Sequence, residues 1–384
     1  MYFDNGASSF PKAPGVGEAM MRYIEANGAN VNRGVYAKAS SAAMTVLETR
    51  EQLALLFGFS GDVSHVVFTP GVTYALNQVL KGFLKPGDHC IVSSMEHNAV
   101  MRPLQELAAL GVEFDRIPAD VNGLTDAEAI LPLFRENTKL VVVSHASNVC
   151  GAIFPLEKVA EICYERNIPL AVDAAQTAGH VSIDFDRLHL SALCVPGHKG
   201  LLGPQGIGAM LLEKEFAAKL TPIVTGGTGS ASDSEIQPSY MPDKFESGTL
   251  NIPGIFGLNA SLGFILSHGT DYFRTHEKYL TDRFLEGLRD IPARVVGPSD
   301  SDRQVGVVSI DFGDIDNAEA SYILESEYGI LTRCGLHCAP NAHRTLHTFP
   351  QGTVRFSVGY TTTEEEVDAV VQAIKNICAG SQLD

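Results

Sequence analysis

The stretch that decides the fold runs from residue 138 to residue 176 and reads TKLVVVSHASNVCGAIFPLEKVAEICYERNIPLAVDAAQ. The aliphatic run at 140–143 predicts a buried strand, because short apolar runs of this kind fill the interior of parallel sheets. Residues 155–166 carry apolar side chains on one face at helical spacing, and 168–172 is a second apolar run. A strand, a helix and a strand in this order predict a parallel pair joined by a right-handed crossover.

The same alternation extends over roughly residues 60–215. A preceding unit is predicted from an apolar run at 90–92, a helix near 98–110 and a strand at 112–117. Several such units in succession predict an α/β fold with a doubly wound, mainly parallel sheet. In sheets of this kind, ligands bind at the carboxyl ends of the strands.

A different pattern begins near residue 225. Residues 225–251 are rich in Gly, Ser, Pro and Asp and have no apolar periodicity, which predicts a long functional or disordered loop. A second unit follows residue 253, with apolar helices and strands at 305–312 and 354–358. Residues 363–366 read Thr-Glu-Glu-Glu, a capping box that begins the last helix.

Composition narrows the class of protein. The 384 residues are 45% hydrophobic and 19% charged, which favours a folded chain with a large core and two domains. A net charge of −17 disfavours a broad nucleic-acid-binding face but leaves room for a small anionic ligand. No signal peptide or membrane span is predicted, so we expect a cytoplasmic, metabolic protein. Seven scattered cysteines do not suggest a disulfide framework.

Three local motifs could bind a small ligand, and each also has an ordinary structural interpretation. Residues 68–73, Phe-Thr-Pro-Gly-Val-Thr, precede a predicted helix and form either a phosphate cup or a normal helix start. Asp173 ends a predicted strand, where it could pair with a cationic ligand nitrogen or cap the next helix. Lys199, between His198 and Gly200, could be a Schiff-base amine or a surface turn lysine.

A fourth motif, Arg-Cys-Gly-Leu-His-Cys-Ala-Pro at 333–340, places thiols beside cationic and imidazole groups. A thiol beside arginine and histidine suits a nucleophile. The same region holds zinc-type ligands at spacings that fit no common zinc pattern, so nucleophilic, metal-binding and structural roles all remain open. The candidate metal ligands are Cys334, His337, Cys338, His343 and His347.

The order of the motifs resembles that of one family closely. The succession Thr-Pro-Gly-Val-Thr, Glu-His-Asn-Ala, Ser-Asn-Val-Cys-Gly, Asp-Ala-Ala-Gln, Gly-His-Lys and a late His-Cys-Ala is similar to that of class V, fold-type I, pyridoxal phosphate enzymes. Within this superfamily the chain resembles the cysteine desulfurase and selenocysteine lyase group over essentially its whole length. The cysteine in His-Cys-Ala points to the group II, selenocysteine-lyase-like branch.

The resemblance implies a domain division and a set of roles. Residues 16–255 would form the large cofactor-binding domain and 256–384 a small domain that carries the reactive cysteine loop. An N-terminal segment at 1–15 would join the small domain. Lys199 would hold the cofactor covalently and move the Cα proton, and His97 would stack on the ring. The implied cofactor contacts are Gly71, Val72, Thr73, His97, Asn148, Asp173, Gln176, His198, Lys199 and Thr249.

Further roles follow from the same resemblance. Asp173 would keep the ring nitrogen protonated, and Gln176 would contact the phenolic oxygen of the ring. Thr249 matches a threonine that reaches the phosphate of the neighbouring subunit, which implies a homodimer. The implied substrate contacts are Ala7, Asn148, Arg333 and Arg355, where a guanidinium suits an α-carboxylate.

The resemblance therefore predicts a desulfurase that converts L-cysteine to L-alanine and leaves a persulfide on Cys338, for transfer to an unidentified protein acceptor. Selenocysteine lyase activity, or action on another amino acid, is the alternative within the superfamily, and a non-catalytic Cys/His metal-binding protein is a remote one. Two departures from close relatives stand out: Val72 replaces a frequent threonine or serine, and Cys334 replaces a frequent threonine. Cys334 could resolve the persulfide or form a disulfide with Cys338, but we favour no chemical role for it. No resident metal, nucleic-acid partner or membrane partner is expected.

Overall fold

The computed structural model of the protein describes residues 1–31 and 36–380. Its larger sheet has seven strands in the order β1-β7-β6-β5-β4-β2-β3. Strands β2 to β6 pair in parallel, and β7 runs antiparallel between β1 and β6. The strands are β1 Val66–Thr69, β2 His89–Ser93, β3 Glu113–Ile117, β4 Thr138–Ser144, β5 Leu170–Asp173, β6 Ala192–Pro196 and β7 Gly208–Leu212.

Seven helices accompany this sheet in the described part of the chain. They are α1 Val16–Arg22, α2 Ala37–Leu56, α3 Val72–Phe83, α4 Asn98–Ala108, α5 Leu156–Glu165, α6 Lys214–Lys219 and α7 Ile252–His268. The predicted α/β fold with a doubly wound, mainly parallel sheet is confirmed. The predicted strand–helix–strand unit is present as β4, α5 and β5, with bounds shifted by two or three residues at most.

Both faces of the larger sheet are covered, which explains its continuous apolar strands. In β4, Val141 and Val143 belong to one apolar cluster, whereas Leu140 and Val142 belong to a second. Because successive side chains of a strand point to opposite faces, the run at 140–143 contributes to both cores at once. Helix α7 also packs against the first of these cores, through Leu258, Leu262 and other residues.

A second, four-stranded antiparallel sheet has the order β10-β11-β9-β8. Its strands are β8 Arg294–Val296, β9 Val307–Asp311, β10 Arg333–Gly335 and β11 Thr353–Ser357, and its helices are α8 Thr270–Leu288, α9 Asn317–Tyr328, α10 Pro340–Thr345 and α11 Glu364–Gly380. The predicted capping box is formed: the Thr363 amide donates to Glu366 Oε2 at 3.0 Å, and the Glu366 amide donates to Thr363 Oγ1 at 3.3 Å.

The first residues of the chain lie against the second sheet. The Phe3 amide donates to the Leu331 carbonyl, and the Ser357 amide donates to the Phe3 carbonyl. The Phe3 side chain is fully buried in the apolar core to which α8 and α11 both contribute. Within α8, the residues that belong to this core begin at Leu280. The apolar contacts therefore change from one core to the other within α8, whereas the division of the chain at residues 15 and 255 stays a prediction.

Residues 225–251 contain no helix or strand, as the sequence predicts. Among residues 1–31 and 36–380, no helix is both long and apolar enough to cross a membrane.

Candidate active site

A cavity of about 210 Å³ opens at the carboxyl ends of the parallel strands. Strands β4, β5 and β6 end at the same edge of the sheet because they run parallel, and the residues that follow them meet there. The residues that line the cavity are Val72, Thr73, His97, Ser144, Ala146, Asn148, Asp173, Ala175, Gln176, His198 and Lys199. Eight of these were predicted to contact a cofactor, from motifs more than 120 residues apart.

One wall of the cavity is the start of helix α3, whose N-cap residue is Gly71. The first amides of a helix have no intrahelical partner, so they attract an anion. The turn is held by Thr69, whose Oγ1 donates to the Gly71 carbonyl at 3.1 Å. Gly208 lies directly against this turn: a Cβ there would be 3.0 Å from the Gly71 Cα and 2.6 Å from the Val195 carbonyl oxygen.

His198 lies at the same anion-binding end of the cavity. Its Nδ1 atom is buried and has no hydrogen-bond partner among the described residues. Burial lowers the pKa of His198 to about 4, and the charges of Lys199 and Lys12 add to this effect. A buried polar atom without a partner is costly, so this nitrogen marks a place where a polar ligand group fits.

Asp173 and Lys199 both line the cavity. Burial raises the pKa of Asp173, although a hydrogen bond from the Ala175 amide and the charge of Lys199 work against the shift. Burial lowers the pKa of Lys199 to about 8, although Asp173 stabilises its charged form. A lysine with this pKa is partly neutral near physiological pH, which is the form that attacks a carbonyl group.

His97 provides a flat, uncharged ring. Its Nδ1 accepts the Ala99 amide hydrogen bond at 3.0 Å and so caps helix α4. Burial lowers the pKa of His97 to about 4, and the largest charge effects on it come from Lys199 and Arg333, followed by two further arginines. The ring is therefore neutral at physiological pH, which suits stacking on an aromatic ligand.

Glu96 is part of the site, although sequence analysis recorded it only as a member of the Glu-His-Asn-Ala motif and gave it no role. Its carboxyl group accepts hydrogen bonds from Ser93 Oγ at 2.5 Å and from the Ser144 amide and Oγ at 2.9 and 2.7 Å. Burial raises the pKa of Glu96 to about 7. This side chain therefore ties the ends of β2 and β4 together beneath the cavity.

Arg355 and Asn148 lie together, as predicted, and a third residue joins them. Arg355 is 1% exposed, and its Nη1 donates to the Asn148 carbonyl at 3.0 Å. Its Nη2 forms an ion pair with Asp4 Oδ1 at 2.7 Å, while its Nε has no partner among the described residues. Sequence analysis missed Asp4, although it stands in the N-terminal Phe-Asp-Asn-Gly-Ala segment.

The predicted reactive cysteine is on the surface beside the cavity. Cys338 is exposed, and its carbonyl accepts the Asn98 amide at the start of α4 at 2.8 Å. His337 and Cys338 both have left-handed backbone conformations, with φ values of 47° and 60°. The Asn148 side chain donates to the His337 carbonyl at 2.7 Å, and Arg333 Nη2 lies 3.8 Å from Cys338 Sγ.

Cys334 differs from Cys338 in its surroundings. Both thiols are free, but Cys334 is half-buried and packs against the core of the second sheet. Burial raises the pKa of the Cys334 thiol. Since neighbouring residues of strand β10 point to opposite faces, Arg333 faces Cys338 while Cys334 faces the core.

The metal-binding interpretation finds no support in the geometry. In residues 1–31 and 36–380, no three His, Cys, Asp or Glu side chains converge into a group that could hold a metal ion. The buried rings of His337 and His343 instead bond to threonines: His337 Nε2 lies 3.2 Å from Thr353 Oγ1, and His343 Nδ1 lies 2.7 Å from Thr348 Oγ1. These two rings therefore have threonine partners close to the cysteine loop.

Three other predicted residues lie outside the cavity wall. Thr249 is exposed in the loop at 225–251, next to Gly248, whose amide donates to the Gly227 carbonyl. Ala7 is half-buried, with its amide bonded to the Asp4 carbonyl at 3.0 Å. Arg333 reaches the cysteine loop as described above. Gln176 does line the cavity, and its Nε2 donates to the Gly6 carbonyl at 3.0 Å.

Comparisons with known proteins agree with this fold. The family model of the class V aminotransferases matches residues 1–370. A probable cysteine desulfurase of Pyrococcus abyssi is 33% identical over 98% of this chain and 94% of its own, and one of Methanothermobacter thermautotrophicus is 32% identical over the same shares. The chain belongs to the class V aminotransferase family, and within it to the cysteine desulfurases.

Solved structures give the same result. The apo structure of a cysteine desulfurase from Thermococcus onnurineus NA1 superposes with a TM-score of 0.92 at 32% identity, covering 99% of this chain and 95% of that one. A cysteine desulfurase from Escherichia coli in its S-sulfonic acid form has a TM-score of 0.86 at 27% identity, covering 98% and 94%.

Membership of this family implies pyridoxal phosphate as the cofactor in general terms. The residues present fit that molecule. The cavity offers free helix amides and the unpartnered His198 Nδ1 for a phosphate, a carboxylate for a cationic ring nitrogen, and a partly neutral lysine for an aldehyde.

Proposed function

We propose that this protein is a pyridoxal phosphate-dependent cysteine desulfurase that converts L-cysteine to L-alanine and leaves a persulfide on Cys338. The observation that supports this most strongly is the pairing of two features at one edge of the sheet. A cavity with Lys199, Asp173 and His97 lies beside an exposed thiol, and an arginine side chain lies 3.8 Å from that thiol.

Each part of the cavity then has a task in holding the cofactor. The amides of Val72 and Thr73, the Thr73 hydroxyl and His198 would bind the phosphate. Asp173 would pair with the ring nitrogen, and the neutral ring of His97 would cover one ring face. The remaining contacts would come from Gly71, Asn148 and Gln176, with Lys199 as the covalent anchor. When bound, pyridoxal phosphate supplies an electron sink that makes the Cα proton of an amino acid acidic.

The residues of the chain would then act on the substrate in turn. Arg355 and Asn148 would bind the α-carboxylate, and the neutral amine of Lys199 would accept the Cα proton. The Cys338 thiolate would attack the substrate sulfur, so that a new S–S bond forms while the Cβ–S bond breaks. The electron pair of that bond stays on the carbon, which gains a proton to complete alanine, and the overall change is cysteine plus thiol to alanine plus persulfide.

A homodimer is part of the proposal. Thr249 is exposed and does not line the cavity of its own chain, which suits a residue that reaches the phosphate of a second subunit. The cytoplasmic location, the group II assignment and the preference for sulfur over selenium stay predictions.

The proposal is tested by measuring alanine formation from L-cysteine with the yellow holoenzyme and a reducing agent. We expect Cys338→Ala to reduce turnover of cysteine at least ~100-fold, since no other described thiol lies exposed at the site, while the cofactor absorption is retained. Cys163→Ala, a change at a buried thiol of α5, is the matched control and is expected to keep the activity. Full desulfurase activity in Cys338→Ala would contradict the role of Cys338, and a protein that stays colourless with added cofactor would contradict the enzyme itself.

A further inference from the structure

Four arginines that the proposed reaction does not fully use lie on β10, α4, β3 and α10. Arg333 has its Nη2 atom 3.8 Å from Cys338 Sγ, and Arg102, Arg116 and Arg344 come from three other segments. We call these four residues the arginine rim. The chain as a whole is acidic, with 45 acidic and 28 basic residues.

Helix α4 contributes Arg102 to the rim. Helix α4 begins beside Cys338, because the Asn98 amide bonds to the Cys338 carbonyl at 2.8 Å. Arg102 lies one turn further along the same face of α4 and is exposed. The charges of Arg102 and Arg333 are among those that lower the pKa of neighbouring His97 most.

The other half of the rim is held by α10 and β3. The Asn341 side chain donates to the Ser94 carbonyl at 2.7 Å, which fixes α10 above the end of β2. Arg344 on α10 is exposed and stacks on Phe349 at 4.2 Å from the ring centroid. Arg116 lies on β3, the neighbour of β2, and its pKa is lowered by burial and by the charge of Arg344.

The four charges are not neutralised within the subunit. In the part of the chain that the structure describes, none of them forms an ion pair with a carboxylate. By contrast, Arg135 and Arg283 each contact two carboxylates. Uncompensated like charges repel one another, so a cluster of this kind is best satisfied by an anionic partner.

We propose that the arginine rim docks the protein that takes sulfur from Cys338, and that this acceptor presents its own cysteine within an acidic segment. The inference rests on the proposed function. L-cysteine itself has no net charge at neutral pH, so steering of the substrate does not account for four cations. A long nucleic acid would meet the strongly negative remainder of the molecule, whereas a short acidic segment contacts the rim alone.

The transfer step needs no additional reactant. The acceptor thiolate attacks the outer sulfur of the Cys338 persulfide and forms a new S–S bond. The bond between that sulfur and Cys338 Sγ breaks, and its electron pair leaves on Sγ as a thiolate. Arg333 lies close enough to attract this leaving thiolate, while Arg102, Arg116 and Arg344 hold the acidic segment.

The experiment uses holoenzyme whose Cys338 has been loaded with persulfide from L-cysteine and then freed of substrate. Three peptides of equal length, each with one cysteine flanked by Glu, Gln or Lys, serve as acceptors, and transfer of the outer sulfur is timed at low and high salt. Binding of the same peptides with Ser in place of Cys is followed by fluorescence anisotropy, with a short oligonucleotide as competitor. Alanine formation with dithiothreitol alone is measured in parallel.

We expect the acidic peptide to accept sulfur about tenfold faster than the neutral one at low salt, with most of the advantage lost at high salt. The double variant R102E/R344E should lose this preference while its alanine formation with dithiothreitol stays within twofold. The matched control K139E/K219E has the same change in net charge, at exposed lysines of β4 and α6 near the opposite edge of the sheet, and should keep the preference.

Equal rates for the three peptides, or a preference that survives in R102E/R344E, would overturn the inference while alanine formation still supports the desulfurase. The oligonucleotide and the free acidic peptide are also compared as competitors. If the oligonucleotide displaces the bound acidic peptide at a lower concentration than free acidic peptide does, the inference is overturned in favour of a nucleic-acid partner. Absence of alanine in all proteins would instead remove the proposed function, and the inference with it.

Discussion

Lys199 illustrates how burial and local charge prepare a single side chain. Burial lowers its pKa to about 8, against about 10.4 for a free lysine, and Asp173 limits the shift. Below pH 8 the amine is mainly protonated and cannot attack a carbonyl group. Above pH 8 it is mainly neutral.

We therefore predict that the rate at which apo-protein takes up pyridoxal phosphate rises about tenfold per pH unit below pH 8 and levels off above it. The measurement is the growth of the yellow absorption at a series of pH values. A blocked lysine derivative, measured in the same way, corrects for the ionisation of the cofactor. A midpoint near 10.4 would show that burial does not perturb this lysine.

Arg355 illustrates a different balance, in which a buried cation depends on one carboxylate. The guanidinium is 1% exposed, and its ion pair with Asp4 links residues that are 351 positions apart. Burial lowers the pKa of Arg355, while Asp4 stabilises its charged form. Removing the carboxylate charge leaves a poorly compensated cation in the interior.

Asp4→Asn is therefore expected to lower the free energy of unfolding by about 2 kcal/mol. Asp302→Asn serves as its control, because the pair of Asp302 with Lys278 is exposed and should contribute less than about 1 kcal/mol. Urea unfolding followed by circular dichroism compares the two. Equal losses in both variants would mean that the Asp4 pair is no stronger than a surface pair.

At the scale of elements, strand β10 explains why two cysteines only four residues apart have different surroundings. Alternation along the strand turns Arg333 toward the reactive loop and Cys334 toward the core of the second sheet. The loop that follows then reverses direction through two left-handed residues and exposes Cys338. Cys334 is thus placed as a packing residue and not as a second thiol of the site.

Cys334→Ala should keep the rate of alanine formation within twofold and should leave the persulfide on Cys338. The check is a turnover assay combined with mass measurement of the peptide that carries Cys338. Cys334→Ser provides the comparison at equal size, and it too should remain active. A loss as large as that of Cys338→Ala would restore the alternative that Cys334 resolves the persulfide.

The element scale also shows which predictions could be made from sequence. Strands β4 and β5 and helix α5 were predicted within three residues because each depends on local periodicity. The packing of α7 against the core of the larger sheet was not predicted, because the apolar pattern of a helix does not show which surface the helix covers. The role of Glu96 was missed for a related reason, since its partner Ser144 lies 48 residues away.

At the scale of the whole molecule, the exposed Thr249 in the loop at 225–251 bears on whether the protein acts as a dimer. Thr249 has no place in the cavity of its own subunit, so its proposed phosphate contact depends on a second copy of the chain. Loss of one hydrogen bond to a charged phosphate costs about 1.5–3 kcal/mol.

We predict that the protein sediments as a dimer and that Thr249→Ala weakens cofactor binding at least about tenfold. Thr221→Ala, at another exposed threonine, should leave the affinity unchanged. Equilibrium titration of the apo-proteins gives both affinities. A monomeric holoenzyme, or an unchanged affinity in Thr249→Ala, would rule out the contribution of the neighbouring subunit.

The amino-acid sequence by itself determined the α/β class, the order of the strand–helix units and the motifs that identify Lys199, Asp173, His97 and Cys338, because these depend on residues close together in the chain. Only the tertiary structure decided that Asp4 neutralises Arg355, that Cys334 faces a core, and that helix α4 begins against the Cys338 carbonyl. The reason is physical: charge pairing, burial and proximity act through space, and the contacts that create them join residues dozens to hundreds of positions apart.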